Sequence, residues 1–315
     1  MRYLMTRTFR IAGTLSLVGA LSVVALAQTG NPGGPLNQNL GDFDYGVCRG
    51  PNPECYHNWH RRSATEFKAL LFTRTATLRH ANLGAPLGPG LNPPLAAGNL
   101  VHHGMLGLAK ANGFALDYTE DLSRFSTLAQ YHAVIFFSSN RDALDDNAQT
   151  ALRQYIRGGG GFVGLHNAFG TEYNWPYFEG LLGNANFYNH GPNRDGDVVV
   201  VNTTDVSTRD LPARFGFRDE WYNLVPFPTN VKFLATVDGS TISKMETPPP
   251  HPGHGSFHPV AWCQYYDGGR AWLSTLGHNA ELFDLDNARL PGALEFQKLI
   301  AGGIKSAMGM VPFCQ

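Results

Sequence analysis

The sequence predicts an α/β protein built on a doubly wound, mostly parallel sheet, and three observations predict it. Two short runs, Ala133 to Phe137 (AVIFF) and Phe162 to Leu165 (FVGL), are apolar without alternation. Strands buried on both faces read this way. Between them lies a helix-like segment, Asp145 to Arg157, acidic at its start and basic at its end, as the helix dipole favours. The glycines Gly158 to Gly161 then permit the abrupt change from helix to strand. A strand, helix, strand rhythm of this kind winds right-handed around a parallel sheet.

Taken in order, the chain opens with Arg2, Arg7 and Arg10, an apolar run from Ile11 to Leu26, and the small-x-small triplet Ala25-Leu26-Ala27. This is the pattern of an export signal over residues 1–27, with a mature chain starting near Gln28. The run is too short and too abruptly ended for a comfortable membrane span, and no later segment resembles one. A secreted or periplasmic protein is expected. Residues 28–65 read as an irregular arm, since Gln28 to Ser63 is rich in Asn, Gly and Pro without period. The α/β domain is expected over 66–309, followed by a short tail, 310–315.

Within the domain, Thr65 to Phe72 is a first buried strand, and Thr73 to His80 its polar carboxyl end. A Gly/Pro segment, Gly84 to Gly98, precedes a helix from Asn99 to Asn112, on which His102 and His103 are expected to be packing or surface residues. Ala115 to Thr119 is a strand and Leu122 to Gln130 a short helical link. After the central stretch come a helix from Trp175 to Leu182, a strand from Asp197 to Val201, and the aromatic, acidic segment Phe217 to Leu224. Val231 to Val237 is a further strand, Lys244 to Ser256 a Pro/Gly/His loop, and Val260 to Tyr266 with Arg270 to Leu276 a hairpin. A last helix, Ala293 to Ala307, covers the sheet.

Charge is nearly balanced, Lys+Arg 24 against Asp+Glu 25, so there is no basic face for nucleic acid. In an exported chain the four cysteines are disulfide candidates. Cys48 and Cys55 share one loop and are expected to pair; Cys263 could join Cys314, or be a small core residue.

Five histidines fall at expected strand ends or in the loops after them: His80, His166, His190, His258 and His278. Ligands bind at the carboxyl ends of strands in open α/β sheets, so His166, directly after FVGL, is placed for chemistry. Imidazoles with the carboxylate of Glu220 suit acid/base work near neutral pH. The same groups, His166, His278 and Glu220 with His80 or His258 nearby, also suit zinc or another divalent metal. Trp175, Trp221 and Tyr222 offer either a stacking platform for a sugar ring or core packing.

The strand and loop KALLFTRTATLRH, the centre GGGFVGLHNA, then FYNHG, DEWYN, FHPVAWCQYYDGGRAWLSTLGHNAE and LIAGGIKSAMG together resemble the ThuA-like family, named for trehalose utilisation, over Phe67 to Met308. The resemblance implies a flavodoxin-like fold related to class I glutamine amidotransferases. In those enzymes a cysteine occupies the strand-to-helix turn; the matching turn here, Gly164 to Ala168, holds neither cysteine nor serine, and without a thiolate glutamine hydrolysis is excluded. Gly277-His278-Asn279-Ala280-Glu281 resembles the segment that carries their histidine and glutamate. The family association points to a carbohydrate or glycoside, keto-glycosides included, with His166, His278 and Glu220 catalytic and His80, His258, His190, Trp221 and Tyr222 binding substrate. The alternative is a non-catalytic carbohydrate-binding or extracellular interaction domain on the same scaffold.

Overall fold

The computed structural model describes residues 43–44, 46–60, 65–242, 254, 256–286 and 289–315. The expected export signal and most of the Pro/Gly/His loop lie outside them. In chain order the elements are β1 (Phe43–Asp44), β2 (Val47–Gly50), β3 (Lys68–Phe72), α1 (Leu100–Ala111), β4 (Ala115–Thr119), β5 (Ala133–Phe137), α2 (Asp146–Arg157) and β6 (Gly161–Leu165). There follow α3 (Pro176–Leu181), β7 (Phe187–His190), β8 (Arg194–Val200), β9 (Arg214–Asp219), β10 (Tyr222–Leu224), β11 (Lys232–Val237), β12 (His258–Tyr266), β13 (Gly269–Ser274) and α4 (Ala293–Met308).

The main sheet runs β4-β3-β5-β6-β13-β12-β11-β8-β9. From β4 to β13 the strands are parallel. From β13 onward each new pair is antiparallel. Alternation along β3 separates two cores: Ala69 and Leu71 face one side with Val101 and Met105 of α1 and Ile300 and Ile304 of α4. Leu70 and Phe72 face the other with Leu152 and Ile156 of α2 and Phe178 of α3. All five residues of β5 are buried, which is why its sequence shows no polar alternation.

Helix α2 starts as its charges predict. Asp145 accepts a hydrogen bond from the Ala148 amide at 2.8 Å, and Ala148, Leu152, Tyr155 and Ile156 form its buried stripe. Helix α4 lies close on the sheet because position 303 is glycine. A Cβ there would meet the Trp272 ring at 2.3 Å.

One reading needs correction and two gain detail. The arm expected to be irregular contains β2, which pairs with β12 through Arg49 and Gly50. Arg49 is buried and donates to Gln264 Oε1 at 2.9 Å and Thr229 Oγ1 at 3.0 Å, tertiary bonds that a four-residue strand cannot announce by period. Leu122 to Gln130 is the short helical link expected, in 3₁₀ form and broken at Thr127. The segment from Phe217 to Leu224 is the end of β9 followed by β10, which leaves the main sheet to pair with β7. Both disulfides form, Cys48 with Cys55 and Cys263 with Cys314. No helix among the described residues is long and apolar enough to cross a membrane.

Candidate functional site

His166 is the first residue after β6, in a short 3₁₀ turn, and its backbone sits at φ +50°. A non-glycine residue holds that conformation only where its surroundings impose it, and such residues cluster at functional sites. The imidazole is fully buried. Its Nδ1 lies 3.0 Å from the Thr275 carbonyl, which can only accept, so Nδ1 carries the proton. The lone pair therefore sits on Nε2, facing the other groups. The hydroxyl of Tyr222 is 3.1 Å from that nitrogen and His80 Nε2 3.2 Å.

The loop after β3 brings His80, and the loop after β13 brings His278. Asn82 ties the two together, donating to the carbonyls of Gly277 at 3.2 Å and His278 at 2.9 Å. Position 277 has to be glycine: its φ is +137°, and a Cβ would press on His166 Cβ and the Phe137 ring at 3.3 Å. Glu220 follows β9. Its Oε2 lies 3.0 Å from His278 Nδ1, 3.4 Å from His190 Nε2 and 3.8 Å from His166 Nε2. The His278 contact is an ion contact whose angle falls outside hydrogen-bond geometry. One ligand atom each from His80, His166, Glu220 and His278 lies within 4.8 Å of all the others. His80, Glu220 and His278 border a pocket of about 420 Å³, with His166 buried behind them.

His190 and Tyr222 face each other across the β7–β10 pair, their rings 5.6 Å apart, and Tyr222 stacks on His166 at 4.7 Å. His258 stands back from the cluster: its Nε2 donates to the Tyr222 carbonyl at 2.8 Å, so it positions Tyr222 and lines no part of the pocket. Trp221 is not in the site either. Consecutive side chains of an extended segment point to opposite sides. Glu220 and Tyr222 take the site side, and Trp221 is buried in the core with its Nε1 bonded to the Arg194 carbonyl at 3.1 Å. Trp175 packs on Tyr177 and Phe178.

Sequence reasoning missed Asp219. This fully buried carboxylate accepts from the amides of Gly277 at 2.7 Å, Glu220 at 2.8 Å and His278 at 3.2 Å, locking the two loops that supply Glu220 and His278. A carboxylate directly before Glu220 at a strand end was the available signal. Arg141 and Tyr173 of the pocket wall were also missed, in the loops after β5 and after the His166 turn.

The family model described as trehalose utilisation matches residues 68–306. The chain belongs to the ThuA family. A ThuA-like protein from Bacteroides uniformis superposes with a TM-score of 0.57 at 23% identity, covering 79% of this chain and 93% of that one. A second, from Parabacteroides merdae, gives 0.56 at 18% identity, covering 78% and 92%. At these identities the likeness establishes the shared glutamine amidotransferase-like α/β fold. No curated protein matches the chain.

In this ThuA chain the electrostatics divide the imidazoles of the cluster, holding His166 and His80 neutral and favouring a proton on His278. Burial pushes His166 well below the usual histidine range, aided by His80. Burial lowers His80 to about 4 against the pull of Glu220. For Glu220, burial works upward, but His278, His190 and His80 outweigh it and hold the carboxyl below its ordinary value. His278 is also opposed by burial, yet Glu220 and Asp219 raise it. Burial lifts Asp219 to about 7 despite its three backbone donors. The result is one carboxylate beside two imidazoles kept neutral, His166 and His80, and a third, His278, whose proton it favours, chemistry suited to a cation or to proton transfer.

Proposed function

We propose that this ThuA protein is an exported enzyme acting on a carbohydrate or glycoside, keto-glycosides included, at a divalent-metal centre held by His80, His166, Glu220 and His278. One observation carries the reading: the mutual approach of those four ligand atoms within 4.8 Å. Two ligands of one zinc ion, each at ~2.1 Å, can be no more than about 4.2 Å apart. In the tetrahedral arrangement zinc prefers, donor atoms lie about 3.4 Å apart, so the widest pair of the cluster would draw in by about 1.4 Å on binding. Three imidazoles and a carboxylate are a donor set that suits zinc.

Such an ion would polarise a sugar carbonyl or hydroxyl and acidify a bound water. The residues supply the rest. Thr275 fixes the His166 tautomer so that Nε2 can bind. Tyr222, raised well above 10 by burial, stays protonated as a hydrogen-bond donor. His190, partly exposed beside Glu220, is the group best placed to exchange protons with solvent. The two disulfides fit an oxidising compartment, in accord with the export pattern at the N-terminus.

The test has two readouts on the purified mature protein. Elemental analysis and zinc titration should give one ion per chain, with binding weakened at least about tenfold in His166→Ala. A panel of glycosides and keto-glycosides should then include one that turns over with metal and not after chelation. Absence of stoichiometric metal removes the metal reading and leaves acid/base chemistry at the same residues. Sugars that bind without turnover, unaffected by His166→Ala, identify a binding module instead.

A further inference from the structure

We infer that the substrate of this site carries a carboxylate, which Arg141 receives. The inference rests on the carbohydrate reading above and specifies the class of sugar.

The pocket has a marked charge asymmetry. Its wall contains one carboxylate, Glu220, already in contact with three histidines. It contains two arginines. Arg79 is committed to Glu120 at 2.7 Å and to the carbonyls of Gly84 and Ala85 at 2.7 and 3.1 Å. Arg141 has no carboxylate partner among the described residues. Its guanidinium lies over the Tyr173 ring, 5.2 Å from the centroid. The ring is itself anchored, the Tyr173 hydroxyl donating to the Phe187 carbonyl at 2.8 Å.

Arg141 is also held in place by more than chance. Its backbone takes φ +56°, a costly conformation for a residue with a side chain. Three backbone bonds impose it: Arg141 N to the Gly170 carbonyl at 2.7 Å, and the Ala143 and Glu172 amides to the Arg141 carbonyl at 2.7 and 3.0 Å. Behind them Glu172, 3% exposed, accepts from the Leu144 amide at 2.9 Å and from Gln149 Nε2 at 2.6 Å. A buried glutamate thus fastens this loop to the turn that follows His166. The outcome is a cation fixed by backbone and by stacking, with its planar fork left for a ligand. A guanidinium so presented matches the two oxygens of a carboxylate. An acidic sugar, a uronide or its keto derivative, would seat its ring against the His/Glu cluster and its carboxylate on Arg141.

The experiment compares methyl glucuronide, methyl glucoside and glucose 6-phosphate by isothermal titration against wild type, Arg141→Met and Arg141→Lys. Methionine keeps an apolar stem on Tyr173 without the charge; lysine keeps the charge without the fork. Wild type should bind the uronide about tenfold or more tighter than the neutral glycoside. Arg141→Met should abolish that preference while neutral-sugar affinity and metal content stay unchanged, and Arg141→Lys should keep part of it. Equal affinities in wild type, or a preference that survives in Arg141→Met, overturns the inference, and tighter binding of the phosphate ester overturns the carboxylate assignment. Neutral sugars binding alone sinks this proposal and spares the carbohydrate reading. A chain that binds no sugar of any kind sinks both.

Discussion

Removing the bond between Cys263 and Cys314 should cost far more than removing the one between Cys48 and Cys55, although both are single cross-links in one chain. The native contacts around the C-terminus do not depend on the sulfurs alone. The Gln315 amide donates to Asp205 Oδ2 at 3.1 Å, Asn202 donates to the Gln315 carbonyl at 2.7 Å, and Phe313 packs on Tyr265 with centroids 5.0 Å apart. These remain in a Cys263→Ala/Cys314→Ala variant, so the loss falls mainly on the unfolded chain, which regains freedom. Residues 51 apart are joined in one case and 7 apart in the other. The loop-closure relation gives about 4 kcal/mol for the first and about 2.3 kcal/mol for the second at 25 °C. Urea denaturation followed by tryptophan fluorescence reads the difference, since Trp262 adjoins Cys263 inside the core. The thermal midpoint should fall by roughly 8–16 °C for the long-range pair. Equal losses in the two double variants, or a larger loss from Cys48→Ala/Cys55→Ala, would refute the chain-entropy reasoning.

Two further outcomes follow from buried polar groups. In Asp219→Asn one acceptor oxygen must serve three amide donors, leaving at least one buried N–H unsatisfied, so urea denaturation should show a loss of roughly 1–3 kcal/mol; a change below about 0.5 kcal/mol, the scale of an ordinary surface substitution, contradicts that account. His102, buried on α1 with Nε2 3.0 Å from Thr73 Oγ1, has its pKa lowered by burial from 6.5 to about 4. Above 6.5 the group is neutral folded or unfolded; as pH falls, the unfolded chain takes the proton first. Stability is therefore lost between 6.5 and about 4, by on the order of 3 kcal/mol. His102→Gln should flatten that part of the stability–pH curve, and an unchanged acid limb would show that His102 does not set it.

The parts of the fold that could be read from sequence were those where one physical rule dominates locally. β5 and α2 came within a residue of their observed bounds because complete burial and end charges leave an unambiguous trace. His166 was legible for the same reason: a strand with a glycine-rich entry has a definite end. Trp221 was misplaced because, beside Glu220 and Tyr222, alternation decides which residue meets the pocket, and an irregular junction hides the phase. β2 escaped notice because it is four residues long and its partner in the main sheet, β12, is more than 200 residues away. Asp219 and Arg141 act through backbone groups and stacking in three dimensions, which leave no periodic mark in the chain.

All four cysteines of the chain are taken up in cross-links, and none of them stands in the pocket. The consequence is insensitivity of the clustered His and Glu side chains to the redox state of their surroundings. An alkylating reagent such as iodoacetamide finds no thiol in the folded chain, and mild peroxide meets imidazoles and a carboxylate in the pocket. A reductant would loosen the frame before it touched the site. Inactivation by dithiothreitol, where it occurs, should track the melting of the fold, with no earlier phase that belongs to the pocket itself.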